Sequence, residues 1–164
     1  MDRIQRSRRP GSSLAPRTLC VDRSTPFGNP FGVFRECPFP ERERPWSVYP
    51  SGPGLRFYGL YSPALLQTIA DRYPVPLADG FWNHSAAALA ARELFCDLLR
   101  TAEGASIVAA FRRRLAADRT EHLACWCPPG FPCHADVWLE IAIDTAGSNL
   151  WMISSAADLQ SSCP

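Results

Sequence analysis

The sequence predicts an α/β fold in which a small, Rossmann-like sheet, parallel or mixed, is flanked by helices. Two apolar runs rich in β-favouring residues, 18–21 and 123–127, indicate short buried strands. Between and after them, apolar residues recur at the three- and four-residue spacing of amphipathic helices. A chain of 164 residues, of which 46% are hydrophobic, suffices for one buried core. These observations predict a single α/β domain.

The elements are expected in the order strand, loop, helices, strand, helix. Ser62 and Pro63 have the capping chemistry that starts a helix. Helices are predicted over residues 63–73, 85–101 and 106–118, and a last one opens at Cys133–His134 and ends near Gly147. Residues 33–62 interleave prolines with aromatic residues, and this proline density argues against regular strands or helices there. We therefore expect an insertion over 33–62.

The predicted domain spans residues 18–147, between a disordered basic arm at 1–17 and a C-terminal tail at 148–164. The arm holds five Arg and one Asp, whereas the whole chain has a net charge of only +1. No global basic field therefore favours nucleic acid, and such contact is expected at most from the arm. All 17 basic residues are Arg, which excludes a lysine nucleophile. The seven cysteines are an odd number and no long apolar run occurs, so we expect a reduced, cytoplasmic protein without membrane contact.

Four metal-ligating side chains lie within ten residues near the second strand. Cys125 and Cys127 are two residues apart in a strand and so point the same way. A stiff loop with three prolines, residues 128–132, returns Cys133 and His134 towards them. Thiolates and imidazole suit tetrahedral zinc, which is one cofactor that these residues could hold. Against zinc, the usual Cys-x₂₋₄-Cys spacing is absent, and adjacent residues at a helix start diverge by about 100°.

A second hypothesis is thiol or transfer chemistry on a small ligand. A cysteine at a helix N-terminus is expected to have a lowered pKa, so Cys133 or His134 would be catalytic and Asp136 would orient it. The free amides of the helix start would bind a phosphate or carboxylate, and Trp126 would stack on a ring.

The loop after the first strand is the expected opposite wall of this site. Arg23 would hold a phosphate or carboxylate through its planar fork. It is followed by a rigid turn of four residues, Gly28, Asn29, Pro30 and Phe31. The side chain of Asn29 would form a hydrogen bond with an amide or hydroxyl group of the ligand. The alternative is a structural turn in which Asn29 bonds its own backbone.

The chain carries two distinctive motifs. The first is Arg23 followed by G-N-P-F at 28–31, and the second is C-W-C…P-C-H-x-D-V at 125–137. Together they resemble the uncharacterised DUF4326 family of bacteria and their viruses. The resemblance covers roughly residues 18–32 and 105–143. It implies a shared fold and site, and no established activity. The chain departs from the family at Asp22 and Ala135, where the family has Gly.

Three functions remain open from the sequence. The leading hypothesis is a protein that binds or acts on a nucleotide-like or phosphate-bearing small ligand, in a cleft between the two motifs. The alternatives are a zinc-binding module and a non-enzymatic interaction protein, for example one encoded by a phage, with structural cysteines. The leading hypothesis requires both motifs to line one solvent-reachable cleft.

Overall fold

The computed structural model describes residues 1–35, 46–50, 61–73 and 83–144. Its strands are β1 (Asp2–Gln5), β2 (Thr18–Cys20), β3 (Phe31–Arg35), β4 (Trp46–Pro50) and β5 (His122–Cys125). Its helices are α1 (Pro63–Asp71), α2 (His84–Leu99), α3 (Ala102–Asp118) and α4 (His134–Asp144). The predicted α/β fold with a small sheet and flanking helices is confirmed. The predicted C-terminal tail lies outside the described residues.

The main sheet has three parallel strands in the order β1-β5-β2. Strand β5 is central, and both Asp2 and Thr18 stand opposite His122. Three of its four residues, Leu123, Ala124 and Cys125, are buried, as expected for a parallel strand covered on both faces. Because the strands run in the same direction, the loops after β2 and β5 leave from the same edge of the sheet.

Strand β1 differs from the disordered arm expected over residues 1–17. Residues 2–5 include a single apolar side chain, Ile4, so the sequence carries no strand signal there. The strand is held instead by its backbone pairing with β5 and by Arg3 and Arg6. Arg3 forms an ion pair with Asp136 of α4, and Arg6 forms one with Asp22.

The insertion expected over residues 33–62 contains a regular strand. β3 and β4 form an antiparallel pair in which Val33 stands opposite Val48. Val48 is fully buried, and burial of this apolar face outweighs the proline density of the surrounding sequence. Pro50 ends the strand, where a missing N–H costs little.

The helix starts show where local signals are reliable. Ser62 caps α1 as predicted, its side chain accepting from the amide of Leu65. Helix α3 begins at Ala102 with Thr101 as cap, four residues before the predicted start. Gly104 lies inside this helix, and a Cβ at this position would stand 2.1 Å from the carbonyl oxygen of Leu98. The glycine therefore permits close contact between α3 and the end of α2.

Trp138 of α4 is the centre of the core and fixes the G-N-P-F loop. Its ring is fully buried and contacts the rings of Phe27, Phe95 and Phe111. Its indole N–H donates to the carbonyl oxygen of Phe27 at 2.7 Å. The loop after β2 is thereby attached to the helix that follows the cysteine motif. Among the described residues, no helix combines the length and apolarity needed to cross a bilayer.

Candidate functional site

Both sequence motifs line one open cleft of about 450 Å³. The cleft lies where β2 and β5 end, at the edge of the sheet expected to bind ligands in α/β folds. Eight of the predicted site residues line it: Arg23, Asn29, Phe31, Cys125, Trp126, Cys127, Cys133 and His134. Gly28, Pro30 and Asp136 are not among the lining residues.

The loop after β2 is built around Asp22 and Gly28. The Asp22 carboxylate is buried and accepts from Arg6 and from the amide and hydroxyl of Ser24. Burial opposes ionisation of Asp22, but these hydrogen bonds outweigh it and lower its pKa below the ordinary value. A Cβ at Gly28 would stand 2.5 Å from the Cα of Arg23. The glycine is thus required for the loop to fold back on itself.

Asn29 supports the cleft wall through two hydrogen bonds within the protein. Its side-chain oxygen accepts from the amide of Phe31 at 2.9 Å, and its side-chain nitrogen donates to the carbonyl oxygen of Ala91 at 2.8 Å. These bonds join the loop to β3 and to α2. The bond with Phe31 is of the kind that the structural-turn alternative describes, and contact of Asn29 with a ligand stays a prediction. Phe31 has a structural role as well, since its fully buried side chain starts β3.

Arg23 is the cation of this loop that faces the cleft. Its side chain is exposed at the surface, and one guanidinium N–H donates to the carbonyl oxygen of Phe31 at 2.9 Å. Neighbouring protein displaces part of its hydration and lowers the pKa of the guanidinium, while Cys127 and Cys125 act in the opposite direction. At neutral pH an arginine remains charged under such a shift. The cleft therefore holds a cation beside the thiols.

The four residues of the cysteine motif form one cluster, which could hold a metal ion. The ligand atoms of Cys125, Cys127, Cys133 and His134 all lie within 4.8 Å of one another. The two sulfur atoms of Cys125 and Cys127 are 3.7 Å apart. Cys127 is partly exposed on the cleft, whereas the other three side chains are buried. The clustering predicted from strand periodicity and the stiff loop is confirmed.

Among the three thiols, Cys125 favours the thiolate. Hydrogen bonds with Cys127 and Cys133 lower the pKa of Cys125 far below its ordinary value, against the effect of burial. The same hydrogen bonds raise the pKa of Cys127 to about 11 and raise that of Cys133. Cys133 therefore does not have the lowered pKa expected for a cysteine at a helix start, because hydrogen bonds with Cys125 and Cys127, together with burial, raise it.

His134 is oriented by a backbone carbonyl and not by Asp136. Its Nε2 atom lies 2.5 Å from the carbonyl oxygen of Val21. The Asp136 carboxylate instead accepts from Arg3 at 3.0 Å, and Arg3 also donates to the carbonyl oxygens of Pro128 and Phe131. The predicted role of Asp136 in orienting the catalytic group stays a prediction, and in the structure its carboxylate pairs with Arg3. Asp136 lies in the first turn of α4, where its carboxylate reaches Arg3 of β1.

Two of the first amides of α4, those of Ala135 and Asp136, are also committed. The amide of Ala135 donates to the sulfur of Cys133 at 3.4 Å, and the amide of Asp136 donates to the carbonyl oxygen of Cys133 at 3.1 Å. Anion binding at a helix start needs free amide groups. The predicted phosphate site at this helix is therefore less favoured than the arginines of the cleft.

Aromatic and cationic side chains complete the cleft wall, and the sequence signalled only some of them. Trp126 is 36% exposed, and the guanidinium carbons of Arg6 and Arg8 lie 4.4 and 5.0 Å from its ring centre. His84 stacks on Trp46 at 4.2 Å between ring centres and contacts Phe131 at 4.8 Å. Arg8 was assigned to the arm, and only the pairing of β1 brings it to the cleft.

One family model matches residues 4–144, and its description is Domain of unknown function (DUF4326). The matched range contains both motifs, so the resemblance noted from them is confirmed. No curated protein and no solved structure matches the chain.

Proposed function

The chain belongs to the DUF4326 family, whose description assigns no activity, and we propose from the cleft itself that it binds a phosphate-bearing, ring-containing small ligand of the nucleotide type. One observation carries the proposal. Two arginines that have no carboxylate partner among the described residues, Arg8 and Arg23, face the same cleft as several aromatic rings. The cleft volume of about 450 Å³ falls within the usual range of about 300–1,000 Å³ for small-molecule sites.

The charge of the cleft favours an anion. Within the part of the chain that the structure describes, no ion pair involves Arg8 or Arg23. Among the described residues that line the cleft, Asp22 carries the one carboxylate, and it is already bound by Arg6 and Ser24. An arginine fork binds phosphate oxygens in pairs, which makes phosphate a better match than an isolated halide.

The shape of the cleft favours a planar ring. Small side chains of α2, Ala88 and Ala91, line one side. Phe131 and the exposed ring of Trp126 lie on the other motif. Aromatic and apolar surfaces of this kind bind the faces of planar rings, and hydrogen-bonding groups at the rim fix their orientation. A nucleotide combines such a ring with a phosphate.

Binding can be measured by calorimetry with AMP, ADP, ADP-ribose and NAD, with adenosine and inorganic phosphate as partial ligands. We expect at least one phosphate-bearing nucleotide to bind more tightly than adenosine. Arg23→Ala should weaken that binding about tenfold or more, because a hydrogen bond to a charged group contributes about 1.5–3 kcal/mol. The matched control is Arg113→Ala, which removes an exposed arginine of α3 outside the cleft.

Three outcomes would contradict the proposal. The first is that none of the six compounds binds. The second is that AMP and adenosine bind equally well, and the third is that Arg23→Ala binds the nucleotide as the wild type does. Binding of inorganic phosphate alone would retain the anion site and remove the ring from the proposal.

A further inference from the structure

The cysteine motif also carries an inference that does not depend on the proposed ligand: we infer that Cys125, Cys127, Cys133 and His134 bind one Zn²⁺ ion in a closed tetrahedral site. Zinc binds thiolate sulfur at about 2.3 Å and imidazole nitrogen at about 2.0–2.1 Å. Two sulfur ligands of one tetrahedral ion therefore stand about 3.8 Å apart, and a sulfur and a nitrogen about 3.6 Å apart. These separations can be compared with the protein directly.

The cluster already has nearly this geometry. The sulfur atoms of Cys125 and Cys127 are 3.7 Å apart, and the sulfur of Cys133 is 3.9 Å from Nδ1 of His134. With one ring nitrogen taken for His134, the four ligand atoms all lie within 4.8 Å of one another. The widest pair must approach by about 1 Å to reach tetrahedral spacing, which side-chain rotation provides. The separations of the ligand atoms are therefore close to those around one tetrahedral ion.

His134 presents the nitrogen that a metal requires. Its Nε2 atom lies 2.5 Å from the carbonyl oxygen of Val21, and a carbonyl oxygen only accepts, so Nε2 carries the hydrogen. The lone pair of a neutral ring then belongs to Nδ1, on the side of Cys133. A metal-binding histidine commonly donates its other N–H to a backbone carbonyl, which fixes its orientation. We assign Nδ1 as the fourth ligand.

The sequence argument against zinc fails for a structural reason. Adjacent residues diverge by about 100° only when both are helical. Helix α4 begins at His134, and Cys133 precedes it. The loop between Cys127 and Cys133 is held by Arg3, which donates to the carbonyl oxygens of Pro128 and Phe131. Cys133 is therefore free of helical geometry and fixed beside the other two thiols.

The ligand set indicates a structural ion. Four protein ligands fill a tetrahedral zinc site and leave no position for water or substrate, unlike the three ligands of hydrolytic zinc centres. Soft thiolates also select zinc over magnesium or calcium. Bound zinc would join the end of β5, the proline loop and the start of α4, beneath the cleft.

The first test is metal analysis of the full chain produced without a histidine tag. We expect one zinc ion per chain in the wild type and a substoichiometric amount in Cys127→Ser. Cys20→Ser is the matched control, because Cys20 is also partly buried and lies outside the cluster. It should retain one zinc ion per chain.

Cobalt titration of the wild-type protein, after zinc has been removed with a chelator, keeps the inference testable if the variant does not fold. Tetrahedral Co²⁺ with thiolate ligands absorbs visible light, and we expect saturation at one Co²⁺ per chain and displacement by Zn²⁺. Absence of stoichiometric zinc together with absence of this absorption would overturn the inference. Full zinc retention in Cys127→Ser would overturn the assignment of ligands. Metal analysis and cobalt titration test the zinc site, whereas nucleotide calorimetry tests the proposed ligand. Failure of one proposal can therefore be told apart from failure of the other.

Discussion

Replacing Asp22 with Asn is expected to lower the free energy of unfolding by about 2–4 kcal/mol at neutral pH. The Asp22 carboxylate is 2% exposed and forms an ion pair with Arg6, whose side chain is 26% exposed. It also accepts from the amide of Ser24 at 2.8 Å and from its hydroxyl at 2.5 Å. Asn keeps the shape and one accepting oxygen, but it turns an N–H₂ group towards the guanidinium donor.

The magnitude follows from the burial of the two partners. Breaking a fully buried ion pair costs about 3–5 kcal/mol, because it leaves an uncompensated buried charge. Water reaches part of the Arg6 side chain and reduces this cost. The retained bonds with Ser24 reduce it further. An exposed pair gives the contrast: Asp118 and Arg114 lie 2.6 Å apart with 37% and 58% of their side chains exposed, and such pairs contribute about 0.3–0.5 kcal/mol.

The effect should depend on pH with a definite sign. The pKa of Asp22 in the folded protein lies below its ordinary value, because the hydrogen bonds outweigh burial. A carboxylate with a lowered folded pKa contributes stability above its unfolded pKa of about 3.9, and this contribution is lost as pH falls through the folded pKa. The difference in free energy of unfolding between the wild type and Asp22→Asn should therefore be constant near neutral pH and become smaller below about pH 4.

Urea unfolding followed by tryptophan fluorescence measures this difference, since Trp138 is fully buried in the folded state. The zinc concentration is the same in all samples. Asp118→Asn is the control, and its free energy of unfolding should differ from that of the wild type by less than about 0.5 kcal/mol. The reasoning would be refuted if Asp22→Asn unfolded at the same urea concentration as the wild type at neutral pH. A difference that persists unchanged in acid would refute the role of the charge.

Three further predictions concern the residues that shape the site. Arg3→Ala should lower the free energy of unfolding by about 1–3 kcal/mol and release added zinc to a chelator faster than the wild type does. An unchanged rate of release would show that Arg3 does not hold the proline loop. Gly28→Ala should lower the free energy of unfolding by about 1–3 kcal/mol through overpacking and weaken nucleotide binding by displacing Arg23. A nucleotide affinity equal to that of the wild type, measured by calorimetry, would contradict this. In the metal-free protein, ultraviolet absorbance should show a thiolate at neutral pH that Cys125→Ser removes, because hydrogen bonds with Cys127 and Cys133 lower the pKa of Cys125. A first thiolate that formed only at the ordinary cysteine pKa of about 8.5 would disprove the assignment.

The cysteine cluster was predictable because its geometry is local. Strand periodicity places Cys125 and Cys127 on one side, and a five-residue loop with three prolines has few ways to return Cys133. The same local reasoning gave Ser62 as a helix cap. Each of these predictions depends on residues within about ten positions of one another, so no tertiary contact had to be known.

The pKa order of the thiols was not predictable from local rules. A helix start lowers the pKa of a cysteine by a dipole effect that is modest and spread over one turn. In the cluster, Cys133 is instead a neighbour of Cys125 and Cys127, and shared hydrogen bonds favour the thiolate on Cys125. Which thiol ionises depends on distances that only the folded chain defines.

Strand β1 shows how much of the site depends on distant contacts. Its Arg3 holds the proline loop and α4, more than one hundred positions away in sequence. Arg6, directly after the strand, holds Asp22 in the opposite wall of the cleft. The two walls therefore share one support, although Asp2–Gln5 has only one apolar residue. Because the pairing partner β5 supplies the backbone hydrogen bonds, polar side chains in β1 remain available to fix both motifs. A weakly apolar strand at the sheet edge thus sets the distance between the arginines of the cleft and the thiols beneath them.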